Sequence, residues 1–340
     1  MRNLATIQKI EEVSPIENAD NIEKVRIKGW WCVTKKGEFK QGDKCIYHEI
    51  DSLLPPIEQY NFLSKSTSLK KTLIDTGKEI EGYRLKTVRL RGQISQGLAL
   101  PLNLFKGIID DTLEINTDVS DVLNIYKYNP PLDASISGDA KGYIPGFIPR
   151  TNEERVQNCI PLLEQYKGKS FYGTSKIDGT SSTFYKYNGE FGACGHNIEF
   201  KESDRNIFWL LAKRYNLINK LPEGYAIQGE VAGEGIQSNR LKLKGVDFYT
   251  FYVIDLNNGQ YLQLSDIKNF ITDLGMKMVP IIYEDFILNH SCDELLRLAD
   301  IPSPLNPDLP QEGIVFRLKN SLDKVSFKAI SNEYLLKWKL

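Results

Sequence analysis

The stretch Ser175-Lys176-Ile177-Asp178-Gly179 holds the residue types that a covalent nucleotide carrier needs. A lysine amine can attack an α-phosphate, the carboxylate two residues on can reach metal or ribose, and the glycine lets backbone approach the ligand. The pattern is short, and by itself it also fits a surface turn with a solvated lysine. Three later features weigh for chemistry. Glu230 ends the strand-like run Tyr225-Ala226-Ile227-Gln228-Gly229, and Glu312 opens another, Gly313-Ile314-Val315-Phe316-Arg317. In Lys324-Val325-Ser326-Phe327-Lys328, strand alternation puts Lys324, Ser326 and Lys328 on one face.

These residues suit one reaction. A lysine with a reference pKa of about 10.4 must become a neutral amine before it attacks phosphorus. A divalent cation nearby would lower that pKa and screen a nucleotide's charge. Mg²⁺ keeps most of its waters and needs only one or a few carboxylates, here Asp178, Glu230 and Glu312. Lys328 would neutralise the α-phosphate as pyrophosphate departs.

The elements that must position this set follow from the patterning. The 340 residues suffice for two or three domains. No run of about eighteen apolar residues is present, so no membrane span is expected, and the N-terminus lacks a signal-peptide core. A soluble, intracellular protein is expected. The five cysteines, Cys32, Cys45, Cys159, Cys194 and Cys292, are scattered, which argues against a zinc site or a disulfide framework. A net charge of -1 does not advertise nucleic-acid binding, although local basic clusters exist, among them Arg84, Lys86, Arg89 and Arg91 along one apparent strand.

Residues 1–105 read as short strands separated by turns, with residues 57–80 as a polar insertion loop. An OB-like barrel is expected there. Its Arg89-Leu90-Arg91-Gly92-Gln93-Ile94-Ser95-Gln96 hairpin could pair with phosphates and sugars, or simply present a charged outer face. Residues 106–145, punctuated by Asp110-Asp111 and Asn129-Pro130-Pro131, read as a linker. The remainder, 146–340, reads as strands with flanking helices. A helix is expected from a cap at Thr151 or Asn152 through Tyr166, with Arg155 inside it. Further helices are expected over Asp204–Tyr215, Leu264–Leu274 (capped by Ser265 or Asp266) and Cys292–Ala299.

In order, the blocks Lys176-Ile177-Asp178-Gly179, Gly229-Glu230-Val231-Ala232-Gly233, Phe248 to Leu256, Glu312 to Arg317, and Val325 to Lys328 resemble the covalent nucleotidyltransferases, the superfamily of ATP-dependent ligases and mRNA capping enzymes. Within it the chain is similar to RNA ligases of the RNA-ligase-2-like branch, in the Deinococcus-type subgroup with an N-terminal OB domain. Glu153 to Asn158, Arg91 to Leu98, and Gly235-Ile236-Gln237-Ser238-Asn239 extend the likeness over nearly the whole chain. Only twelve residues follow Lys328. An OB domain before the catalytic blocks, rather than after them, is expected to separate the chain from capping enzymes and DNA ligases; a non-catalytic RNA-end-binding protein is the other alternative.

The resemblance implies an α+β architecture: an OB-like barrel, then an ATP-grasp-like nucleotidyltransferase domain of antiparallel sheets with flanking helices. It implies Lys176 as nucleophile toward ATP, with Ser175, Asp178, Gly179, Arg155, Glu230, Tyr252, Ile254 and Lys328 around the nucleotide. Asp178, Glu230 and Glu312 would serve Mg²⁺ or Mn²⁺. The implied partner is RNA with 3′-hydroxyl and 5′-phosphate ends in a nicked duplex, met by Arg89, Arg91, Gln96, Gln237, Asn239 and His196, with the protein acting as a monomer. Three positions depart from the family pattern: Ile254 where an aromatic residue often stacks on adenine, His196 where arginine is common, and Ser326 where many ligases have a second lysine.

Overall fold

A computed structural model describes residues 3–73, 78–128, 140–321 and 324–340. The turn signals at Asn129, Pro130 and Pro131 lie outside the described residues. The chain divides into two compact units, Met1–Pro131 with Leu335–Leu340, and Leu132–Tyr334.

The first unit is a set of small, twisted sheets. Lys44–His48 pairs antiparallel with Ala5–Lys9 on one side and Leu98–Pro101 on the other. Glu12–Pro15, Ile22–Ile27 and Trp30–Lys35 form an antiparallel meander. Its alternation is clean: Val25, Ile27, Trp30 and Cys32 are buried, while Lys24, Arg26, Trp31 and Val33 face outward. Val88–Leu90 and Gln93–Ser95 form the expected hairpin. Arg84 does not continue into it. It ends the separate strand Glu79–Arg84 and pairs with Asp51 at 2.7 Å.

Two expectations fail in this unit. Residues 57–80 are not all loop: Glu58–Lys65 is a 3-10 helix that buries Tyr60, and Leu69–Leu73 pairs with Glu79–Arg84. Nor is 106–128 a linker. Ile109, Val119, Leu123 and Ile125 join the core around Ile7, Ile46, Leu54 and Phe105, and the Ser120 hydroxyl accepts from the Leu4 and Ala5 amides. The polar residues at 110–118 mask this segment because its apolar positions are spaced too irregularly to show a period.

Besides the small pair Pro302–Ser303 with Asn306–Pro310, the second unit carries two large sheets. In one, Thr180–Tyr187, Tyr225–Gly233 and Val246–Asp255 are the central antiparallel strands. Helices Ile207–Arg214 and Leu264–Leu274 cover one face through Phe208, Leu211, Ile267 and Ile271 against Phe184, Val231 and Phe248. The other sheet orders Glu154–Arg155, Ser326–Ile330, Gly313–Leu318, Ser170–Lys176 and Ile281–Ile287. Its covered face packs Phe171, Ile314, Phe316, Phe327 and Ala329 against helix Cys292–Ala299, which Ser291 and Glu294 cap reciprocally.

Local capping differs from the sequence reading in places. The helix expected over Asp204–Tyr215 begins at Ile207, and Asn206 caps it by accepting from the Phe208 and Trp209 amides. Gln263 precedes Leu264–Leu274 without a side-chain cap. The helix expected from Thr151 begins only at Ile160, and Glu154–Arg155 is instead a short strand parallel to Ser326–Ile330. Pro161 suits a helix's first turn, so the α-helix starts beside it, while upstream Glu154–Arg155 is extended and Val156–Asn158 makes a 3-10 turn.

Because Ile125 is core, Ile125→Ala should destabilise the protein by about 2–5 kcal/mol. Urea unfolding would measure it; a loss of about 0.5 kcal/mol or less, usual for surface positions, would restore the linker reading.

Candidate active site

The face of the second large sheet opposite its helix-covered core is turned toward the first sheet, and most of its side chains are buried. Strand alternation puts Tyr172, Thr174 and Lys176 on it, with Val315 and Arg317 from the neighbouring strand and Ser326 and Lys328 from the next. Lys176 ends its strand opposite Gly313. That register brings Glu312, one residue earlier, to the amine: Lys176 Nζ donates to Glu312 Oε1 at 2.6 Å. A Cβ on Gly313 would lie 2.2 Å from the Ala329 carbonyl oxygen, so only glycine lets the last strand close up here. Lys328 lies opposite Val315 and, in parallel register, opposite Arg155. Arg155 is therefore buried on a strand and not within a helix.

Glu230 comes from the first sheet, inside strand Tyr225–Gly233 rather than at its end, opposite Ser181. Burial pushes its carboxyl up to about 8, with Lys176 pulling it back and Glu312 and Asp178 adding repulsion. Burial alone would lower the Lys176 pKa, yet the negative charges of Glu312, Glu230 and Asp178 outweigh it and hold the amine above its ordinary value. Without a cation, Lys176 is thus an ammonium clamped by carboxylates. It cannot attack phosphorus in that state.

The residues fit a divalent cation. Glu312 Oε2 is buried with no hydrogen-bond partner, and Glu230 is short of positive charge. Among the described residues no three acidic, histidine or cysteine side chains converge on one metal-sized point. A cation here would keep water and ligand oxygens in most positions. Asp178 is already engaged by Arg240, whose Nη1 donates to both its oxygens at 3.1 and 2.9 Å.

Gly179 also has a different role from the one expected. A Cβ there would sit 2.3 Å from the Val231 carbonyl oxygen. Glycine serves close packing of the turn on strand Tyr225–Gly233. Ser175 is buried and faces away from Lys176 by alternation. Gln237 and Asn239 spend their amides within the protein. Gln237 Nε2 donates to the Gly179 carbonyl, and Asn239 exchanges hydrogen bonds with the Leu243 backbone at 3.0 Å. The loop carrying Gln237 and Arg240 therefore straps down the turn after Lys176.

Farther along the Lys176 face lies a buried, charged aromatic cluster. Tyr252 donates its hydroxyl to Glu153 at 2.9 Å. The Arg317 guanidinium lies 4.6 Å over the Tyr252 ring, and Lys324 Nζ lies 4.9 Å from its centroid. Arg317 also donates to Thr174 Oγ1 at 2.7 Å. Burial pushes the Glu153 carboxyl up, but Arg317, Lys324 and the Tyr252 hydroxyl together bring it below the usual range. Ile254 is completely enclosed with Ile148, Tyr185, Ala226 and Leu256, so it has no open face for a purine. His196 is on an exposed loop whose carbonyl accepts from Arg150 at 3.2 Å.

In the first unit Arg89 and Arg91 are exposed. Gln96 is not: it is 4% exposed, and its carbonyl accepts from Tyr47 at 3.1 Å and from the Cys32 thiol. Gly97, at φ +100°, lets the chain pass Tyr47 and the His48 carbonyl. The Gln96-Gly97 pair thus shapes the barrel and does not reach out of it.

Sequence reasoning missed Glu153, Arg240 and Tyr334 as site members. Tyr334 is buried beside Asp178 and Arg240, and burial pushes its hydroxyl far up. None stands in a local pattern that marks chemistry. The one available signal for Arg240 is its place directly after the Gly235 to Asn239 run.

An OB-fold domain model matches residues 4–102, and an RNA ligase model matches residues 169–330. The structure is similar to an RNA ligase of Naegleria gruberi solved with PPi, at 42% identity over 100% of this chain and 99% of that one, TM-score 0.90. Mutants of that ligase solved with ATP and Mn and with AMP and Mn each match at 42% identity over 98% of both chains, with TM-scores of 0.88 and 0.89. No curated protein sequence matches.

Breaking the half-buried Asp178–Arg240 pair by Arg240→Met should cost about 3–5 kcal/mol, the loss typical when one partner of a buried pair is removed. Asp178→Asn in the same chain should recover part of it. Thermal unfolding of the double-mutant cycle measures this, and additive losses would mean the pair has no coupling.

Proposed function

The chain belongs to the RNA ligase family, and from that premise we propose that it seals 3′-hydroxyl and 5′-phosphate RNA ends at nicks in duplexes, by way of AMP carried on Lys176. The observation that carries this reading is the 2.6 Å contact between Lys176 and Glu312 on a face shared with Lys328. ATP is the donor. The related Naegleria gruberi ligase has been solved with PPi, and mutants of it with ATP and Mn and with AMP and Mn.

The reaction runs as three phosphoryl transfers. Lys176 Nζ attacks the α-phosphate, the N–P bond forms, the bond to the β-phosphate oxygen breaks, and pyrophosphate leaves. The 5′-phosphate of the RNA then takes AMP from Lys176 and restores the amine. Finally the 3′-hydroxyl attacks that phosphate and AMP departs. Each transfer depends on positioning and on charge placed where it develops.

The residues divide this work. Glu312 accepts a hydrogen bond from the Lys176 amine and holds it at the end of its strand. Lys328 and Arg155, opposite each other in parallel register, supply cations to the α-phosphate and the RNA 5′-phosphate. Tyr252 with Arg317 forms an aromatic and cationic wall farther along the cleft. A divalent cation, Mg²⁺ or Mn²⁺, supplies positive charge that favours the neutral amine and screens the triphosphate; Glu312 and Glu230 would hold it. All these groups come from one chain, in keeping with a monomer. The barrel, with Arg89 and Arg91 exposed on it, holds the strand that bears the 3′-hydroxyl, through phosphates and 2′-hydroxyls.

Sealing of a labelled nick with RNA or DNA on the 3′-hydroxyl side tests the reading. The wild type should seal the RNA nick with ATP and not with GTP, and should prefer RNA on that side. Lys176→Ala should abolish sealing, and Lys328→Ala should slow it about a hundredfold or more. Sealing by Lys176→Ala, or equal sealing of an all-DNA nick, would overturn it.

A further inference from the structure

The outward face of the meander Glu12–Pro15, Ile22–Ile27, Trp30–Lys35 carries a feature that the reaction at Lys176 does not use. Trp31 is the outward-facing aromatic residue of that meander, only partly covered, directly across the strand pair from Arg26. Lys24 Nζ lies 4.6 Å from its ring centroid and the Arg26 guanidinium 5.2 Å. Arg26 Nε also donates to the Lys28 carbonyl at 3.3 Å. Lys35 shares the face, two positions beyond Val33. Glu12 brings a carboxylate to it, cross-strand from Arg26 and accepting from Ser14, and Glu38 brings another at its end by accepting from the Lys35 amide at 3.3 Å.

The Arg89–Arg91 hairpin adjoins this face through strand Gln93–Ser95. The Gln96 amide donates to the Trp31 carbonyl at 2.8 Å, and the Val33 amide to Ser95 Oγ at 2.9 Å. The hairpin with the exposed Arg89 and Arg91 therefore lies beside the strand whose outward face bears Trp31 and Lys35, across from Lys24 and Arg26. The chain as a whole is at -1 net charge, so this is a local concentration of positive charge.

Long cationic side chains ordinarily lose rotamer entropy when they hold a ligand. Here the indole holds two of them in place beforehand. A cation over an exposed ring gains about 0.5–1 kcal/mol, so displacing both to let a base stack on Trp31 would cost roughly twice that. A phosphate approaching the cations displaces nothing.

We infer that Lys24 and Arg26, held over Trp31, form a pre-organised clamp for backbone phosphates of the RNA strand on the barrel. The occupant is the sugar–phosphate backbone, whatever the base sequence. This rests on the reading of the barrel as the strand-binding unit and adds a second contact to the Arg89–Arg91 hairpin. The clamp is compatible with a paired strand, since it asks for no unstacked base.

Anisotropy of a labelled nicked RNA duplex, titrated with full-length protein at several salt concentrations without ATP or divalent cation, tests it. Lys24→Gln with Arg26→Gln should reduce the slope of log affinity against log salt by about 0.9 per cation removed. Between 50 and 200 mM salt the wild type should then lose about tenfold more affinity than the variant. Trp31→Leu should weaken binding yet leave the slope near that of the wild type, because both cations remain but are no longer held. Label transfer from ATP to the protein should be unchanged in both variants. A wild-type slope in the double variant would overturn the clamp. So would severe loss in Trp31→Leu rescued by Trp31→Phe with no effect of the cations, which would mean base stacking. Arg89→Gln with Arg91→Gln separates the two levels of failure. If that variant alone lowers the slope, only the clamp is wrong; if neither variant does, the barrel does not hold the strand.

Discussion

The contact between Lys176 and Glu312 is the constraint around which the second unit is arranged. The two residues are 136 positions apart and meet only because antiparallel register sets Lys176 against Gly313. A shift of one residue would turn the amine to the covered side, against Phe171 and Phe316. The core beneath the sheet is therefore what fixes the site. Gly313 and Gly179 each let a neighbouring strand approach closer than any side chain would permit. The pair is half-buried, and carboxylates outnumber cations around the amine. Such an arrangement favours the ammonium and makes the resting site unreactive until other positive charge enters.

Around that contact the second unit keeps its two sheets in register with a separate cluster. Arg317 from the Lys176 sheet lies over Tyr252 from the Glu230 sheet, and Glu153 binds both Tyr252 and the field of Lys324. Removing one member would leave buried charge without its counterpart. The loop with Gln237 and Arg240 plays a matching role at the other end of the motif, where it holds Gly179 and Asp178. Charge placement and backbone packing thus constrain the same five residues from both sides.

How much of this was legible in the sequence depends on the kind of signal. Short, mainly apolar runs such as Tyr225 to Val231 and Gly313 to Arg317 showed as strands because nearly every position is buried. Lys176, Glu230, Glu312 and Lys328 could be singled out because their chemistry recurs in ordered blocks. The order of a barrel before the ligase unit was also readable. What stayed hidden was long-range pairing. Nothing local ties Arg240 to Asp178 or Glu153 to Tyr252, and polar loop residues look alike whether they bind RNA or their own backbone. Gln96, Gln237 and Asn239 were misread for that reason, as were Ile109 to Ile125, whose burial has no period. Ile254 shows the converse: an apolar residue at a ligand position reads as a wall until the structure shows it already covered.

Peptide mapping by mass spectrometry, after incubation of the protein with ATP and manganese, tests the central claim most directly. The peptide containing Lys176 should carry a single AMP through its side-chain nitrogen, and Glu312→Ala should lower its yield sharply. An AMP adduct on Lys324 or Lys328, or ATP-dependent sealing with no adduct on Lys176, would contradict it.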